Sequence, residues 1–236
     1  MALSGVLFDL DGTLADTAGA EREAWDAIAA IIEEHVPAVD RHELYERYSA
    51  VFEPHWTAFL EGRIDFGEYR WNRLQEAIAP WGELHAELFE AYRVEKRNGL
   101  RNLRLFDDAL QTVRGLRSRG LRVGLLTNGP SQLQRTKIEI TALEPELDSI
   151  AVSEEIGAAK PAAEAFHAAT TLLGRPPAEV AMVGDSPEYD ISGALAAGLN
   201  AAILIVGERE LRADGAVVVQ RLGEVPAALG LAASEP

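Results

Sequence analysis

The feature that most constrains this chain is a repeated junction, in which a short apolar run rich in β-branched residues stops at a residue able to do chemistry. Val6–Phe8 runs into Asp9, Val123–Leu126 into Thr127, and Val180–Val183 into Gly184 and Asp185; Ile150–Val152 and Ala202–Val206 are further runs of the kind. The later ones alternate with helix-like stretches, and that alternation predicts a parallel, doubly wound α/β sheet. In such sheets ligands sit beyond the carboxyl ends of the strands, which is where Asp9, Thr127 and Asp185 fall.

Between Asp16 and Gly99 the texture changes to helical spacing. Trp25, Ile28, Ala29 and Ile32 fall at i, i+3, i+4, i+7, and Leu44, Tyr48, Val51 and Phe52 repeat the stripe, as Leu84 and Leu88 begin another. Asp65 with Glu68 predicts a helix start and Asn98-Gly99 a helix stop. This segment holds all four tryptophans and eight of the twelve Phe and Tyr residues, enough to fill the core of a small bundle. The expected organisation is therefore a Rossmann-like core of residues 1–15 and 100–236 with an inserted bundle of roughly four helices at 16–99, and a frayed tail after about Ala228.

At 236 residues and 47% hydrophobic composition the chain can build a sizeable core. It has no cysteine, hence no disulfide, thiolate metal site or cysteine nucleophile. The N-terminal apolar run is broken by Asp9 and lacks a basic lead, so neither a signal peptide nor an anchor is expected, and no later run approaches the ~20 residues of a membrane span. A cytoplasmic location is the expectation. The net charge of −16 repels polyanions, which argues against nucleic-acid and anionic-membrane partners. An anionic substrate would need that field reversed locally, by a divalent cation and one or two placed cationic side chains.

Four segments carry candidate chemistry. Asp9-Leu10-Asp11-Gly12-Thr13 ends a strand in two carboxylates, with Gly12 permitting a sharp turn. Thr127-Asn128-Gly129-Pro130 ends a strand where a helix can begin, and free N–H groups at a helix start bind phosphate. Lys160-Pro161 can aim a fixed positive charge into a carboxylate cluster. Gly184-Asp185-Ser186-Pro187-Glu188-Tyr189-Asp190 adds two carboxylates; Asp185 with Asp9 suits a hard cation such as Mg²⁺, while Asp190 reads equally as a helix cap or a metal residue. Each signal alone is weak, since D-x-D pairs and surface lysines are common.

Together and in this order, DLDGT at 9–13, LLTN at 125–128, AKP at 159–161 and GDSPEYD at 184–190 resemble the four motifs of the haloacid dehalogenase superfamily, over the whole chain. The helical insert falls where that family places a mobile cap. The resemblance implies a phosphatase in which Asp9 is the nucleophile, Asp11 the general acid/base, and Mg²⁺ is bound by Asp9, Asp185 and the Asp11 backbone carbonyl. Asp190 would support the metal. Thr127, Asn128 and Lys160 would bind the phosphoryl oxygens, and Thr13 would support the loop. The substrate would be a small phosphorylated metabolite, and the protein a monomer or homodimer. Asp16–Ala20 and Thr127–Gly129 followed by Gln132 and Gln134 resemble the N-acylneuraminate-9-phosphatase and pyrimidine 5′-nucleotidase branches.

A phosphomutase would use the same core residues, whereas dehalogenases of the superfamily lack the second aspartate of DxD, present here as Asp11. A receiver-like, non-catalytic switch also gathers aspartates, a threonine and a lysine, but there the threonine and lysine follow all the aspartates; here Thr127 and Lys160 precede Asp185. No histidine is expected to be catalytic. His55 and Trp56 are the expected specificity residues of the cap.

Overall fold

The computed structural model describes residues 2–231; the tail expected to fray lies mostly outside them. Strands β1 (Gly5–Phe8), β2 (Arg122–Thr127), β3 (Ser149–Val152), β4 (Val180–Gly184), β5 (Ala201–Ile205) and β6 (Val217–Val219) form one parallel sheet in the order β3-β2-β1-β4-β5-β6. Every residue of β1 and β4 is buried, as strands covered on both faces require. β6 was not anticipated: it is a three-residue edge strand with two exposed residues, too short to stand out from the turn residues around it.

The strand order reverses between β1 and β4, which opens a crevice at their carboxyl ends. Asp9 N–H donates to the Val183 carbonyl at 2.9 Å, so the residue after β1 is still tied to β4.

The chain divides into two compact units, Ala18–Leu103 and the remainder. The smaller unit is helical: α1 (Thr17–His35), α2 (Arg41–Ala50), α3 (Phe52–Leu60), α4 (Phe66–Ile78) and α5 (Ala86–Gly99). Trp25, Ile28 and Ile32 of α1 pack with Leu44 and Tyr48, Leu74 and Ile78, and Leu88 and Tyr92 from α2, α4 and α5. Five helices replace the expected four because the backbone leaves helical geometry at Val51 (φ −86°, ψ 7°), splitting the anticipated Leu44–Phe52 stripe between α2 and α3. Asp65 and Glu68 form the expected reciprocal capping box. α5 also stops at Gly99 as expected, but without a left-handed turn: Gly99 is helical at φ −58°. A Cβ there would lie 2.6 Å from that of Ala24, so this glycine serves the close approach of α5 to α1.

In the larger unit, α6 (Ala109–Ser118), α7 (Ser131–Ile140), α8 (Ser153–Ile156) and α9 (Ala163–Leu173) connect the strands. Phe166 and Leu173 of α9 pack on Leu7, Leu126, Met182 and Leu204. At roughly 1.5–3 kcal/mol per buried large side chain, before the entropy cost of ordering them, this face alone is a major part of the stabilisation.

Candidate active site

The carboxyl ends of β1 and β4 deliver Asp9 and Asp185, and the helical turn Pro187–Ser192 delivers Asp190. Each of these three carboxylates offers an oxygen lying within 4.8 Å of the others'. Two glycines make the convergence possible. Gly12 turns the chain at φ +79°, and a Cβ on it would sit 2.6 Å from Asp185 Oδ2. A Cβ on Gly184 would sit 2.2 Å from Asp190 Cγ.

Lys160 occupies the middle of the cluster. Its Nζ donates to Asp9 Oδ1 at 2.5 Å and to Asp190 Oδ1 at 2.6 Å, and its side chain is 3% exposed. Asn128 aims it: the Asn128 amide accepts from Lys160 N–H and donates to the Lys160 carbonyl, both at 2.8 Å. The helix after Lys160 opens at Ala163, with Ala162 in the capping position. Asp190 is not a helix cap. Ser186 caps that turn, and Asp190 is buried, with Oδ2 accepting from the Ser186 N–H at 3.0 Å.

Three carboxylates this close repel one another, and only two of them, Asp9 and Asp190, are bonded to the buried ammonium. Burial pushes Asp9 well above the ordinary carboxyl range; Lys160 opposes this, while Asp190, Asp185 and Asp11 add to it. Asp185 is likewise raised, by burial and then by Asp190, with the half-exposed Arg209 guanidinium 3.1 Å away partly offsetting the effect. Burial alone would lower Lys160, but Asp190 and Asp9 outweigh it and hold the ammonium above its usual range. An all-oxygen donor set with uncompensated negative charge fits a hard divalent cation. Binding one at Asp185 would replace or share the Arg209 contact.

The Asp11 carboxylate lies apart from this cluster. Lys137 Nζ donates to its Oδ1 at 2.7 Å, the Thr17 hydroxyl donates to the same oxygen, and Gln134 Nε2 donates to Oδ2 at 2.9 Å. Burial would raise this carboxyl, yet Lys137, Thr17 and Gln134 together hold it below its ordinary value. The Asp11 side chain is thus not one of the three clustered carboxylates.

The remaining expectations separate. Thr127 is buried at the end of β2 with its hydroxyl 2.5 Å from Gln134 Nε2. Thr13 is fully buried, and its hydroxyl has no hydrogen-bond partner among the described residues. The N–H groups expected free at the start of α7 are not all free: Gly129 N–H donates to Ser153 Oγ at 2.9 Å and Ser131 N–H to Glu154 Oε2 at 2.8 Å. In the helical unit, His55 is bonded to Glu76 at 2.8 Å with its side chain 18% exposed, and Trp56 packs between Phe52, Phe59 and Tyr69. Neither, then, is freely exposed.

Lys137, Gln134 and Arg209 were not foreseen as part of the site. The signal available for the first two was their three-residue spacing just after Thr127-Asn128-Gly129-Pro130, which puts two polar side chains on one face of the following helix.

A family description, haloacid dehalogenase-like hydrolase, matches residues 3–198. The chain belongs to this family. It is 33% identical to the human (Homo sapiens) N-acylneuraminate-9-phosphatase over 207 residues, covering 85% of this chain and 81% of that one. It is also 33% identical to the pyrimidine 5′-nucleotidase YjjG of Escherichia coli over 169 residues, 71% and 73% of the two chains. In fold it matches the HAD-hydrolase YfnB of Bacillus subtilis with a TM-score of 0.81 at 24% identity, over 98% of this chain and 100% of that one. It is a phosphatase of the haloacid dehalogenase family, and its chemistry is phosphate monoester hydrolysis. No helix among the described residues is long and apolar enough to cross a membrane.

Proposed function

We propose that the protein is a Mg²⁺-dependent phosphatase of small phosphorylated metabolites that works through an aspartyl-phosphate on Asp9. The observation that carries this reading is the Asp9 carboxylate held by Lys160 within a cluster of three carboxylates at the strand-order reversal. An Asp9 oxygen attacks phosphorus; the new O–P bond forms as the bond to the leaving oxygen breaks. Asp11, which its donors hold ionised at rest and which must therefore be protonated in the substrate complex, gives that proton to the leaving oxygen, then removes a proton from the water that attacks the phosphoryl group and frees Asp9. Lys160 keeps one Asp9 oxygen fixed and, with Thr127 and the Asn128 backbone, meets the charge on the phosphoryl oxygens.

Asp9, Asp185 and the Asp11 backbone carbonyl would hold the cation, with Asp190 supporting. When bound, the cation supplies the positive charge that lets a phosphate dianion approach a carboxylate nucleophile. Activity is therefore expected to vanish with excess EDTA and to return on adding Mg²⁺, measured with p-nitrophenyl phosphate. Undiminished turnover in EDTA would rule out this reading.

The names of the relatives support a sugar phosphate or nucleoside monophosphate as substrate. The helical unit would act as the cap that selects it. Replacing His55 or Trp56 by Ala should reorder a panel of phosphorylated metabolites while leaving the Mg²⁺ requirement in place. If folded variants keep the parental ranking, selection lies in the core loops instead.

A further inference from the structure

Gln134 and Lys137 are buried polar residues on a helix, at 1% and 6% exposure. A buried ammonium and a buried amide are costly unless their hydrogen bonds are made. Both make theirs to Asp11, reaching separate oxygens of one carboxylate from consecutive turns of α7. The Gln134 amide also lies against the Thr127 hydroxyl, beside the turn that Gly129 makes at φ +136°. The carboxylate at the end of β1 is thus bound to the helix that follows β2.

We propose that Gln134 and Lys137 are positioning residues which fix the rotamer of the Asp11 carboxyl, so that it meets the leaving oxygen of the substrate. The inference rests on the assignment of Asp11 as proton donor in the proposed function. A carboxylate on an unsupported side chain turns freely about its χ angles, and misplacing a proton donor by about an ångström costs on the order of 10²-fold in rate. Two donors from one rigid helix remove that freedom. Neither residue needs to touch the substrate.

The leaving group separates positioning from a merely structural part. An alkoxide leaving group must be protonated as it departs, whereas p-nitrophenolate departs without a proton. kcat/KM reports the steps up to that departure, so an impaired proton donor lowers the alkyl ester's value selectively. The variants are Lys137→Met and Gln134→Met, each alone and in an Asp11→Asn background, with circular dichroism to confirm folding and Mg²⁺ saturating. The substrates are an alkyl phosphate turned over by the parent enzyme and p-nitrophenyl phosphate.

The expected result is a fall of roughly tenfold or more in the alkyl-to-aryl ratio of kcat/KM for each single variant. Added to Asp11→Asn, the same substitutions should change that ratio no further, because the group they orient is gone. Equal losses on both substrates, or the same loss with and without Asp11, would overturn the inference and leave the proposed function standing. If Asp11→Asn itself leaves the ratio unchanged, the assignment of Asp11 fails, and the inference with it. Should one variant not fold, the other gives the same comparison.

Discussion

Asp9→Asn will remove turnover, with kcat falling by at least about 10⁴-fold while the protein stays folded. The amide is a very poor nucleophile, and no other group in the cluster is placed to replace it: Asp190 is buried and has both oxygens engaged by Lys160 and the Ser186 N–H, and Asp185 carries Arg209 at 3.1 Å. The fold should survive for an electrostatic reason. Asp9 is a carboxyl whose ionisation is opposed by burial and by three neighbouring aspartates, so an isosteric neutral group relieves repulsion, and its carbonyl oxygen can still accept from Lys160. Thermal unfolding should accordingly show no loss of stability, and mass spectrometry of the parent enzyme during turnover should find phosphate on Asp9 alone. Near-normal turnover by the variant would point to a different nucleophile.

Lys160→Met has the opposite balance, losing stability as well as activity. Its ammonium bridges Asp9 and Asp190, whose side chains are 9% and 2% exposed. Removing one partner from a buried ion pair typically costs about 3–5 kcal/mol, because the charges left behind have no water to solvate them. For a chain of this size that corresponds to a fall in Tm of roughly 6–20 °C. Activity should fall by about 10²–10³-fold as a donor to the developing phosphoryl charge is lost. Mg²⁺ should raise the Tm of this variant more than that of the parent, since a cation bound only by the folded state then offsets charge that Lys160 no longer does. A Tm within about 2 °C of the parent, with no added response to Mg²⁺, would mean the ammonium does not hold the cluster together.

Much of the site was legible because catalytic side chains at strand ends are ordered by the chain itself. A carboxylate following a buried strand must emerge at the sheet's edge, so Asp9 and Asp185 could be placed in the same crevice from two separate apolar runs. Lys160 is less local. It reaches the cluster because Asn128, 32 residues earlier, holds its peptide. No sequence pattern near residue 160 carries that clamp; the lysine could be read as a charge for a carboxylate cluster, but what aims it could not.

What the sequence by itself determined is set by periodicity and by local geometry. Apolar runs in chain order specified a doubly wound parallel sheet, helical stripes specified the inserted bundle, and the Asp65–Glu68 spacing specified a capping box. These depend on neighbours within a few residues, which composition and spacing display directly. What only the tertiary structure decided depends on surfaces that meet from distant parts of the chain. Position 99 has no room for a side chain because Ala24 packs against it, and Asp190 faces inward to pair with Lys160. The Asp11 side chain turns toward Lys137, 126 residues away, instead of joining the carboxylate cluster beside it. The choice among rotamers is made by the charge and hydrogen-bond donors that folding brings alongside, and a linear sequence does not show which donors those are.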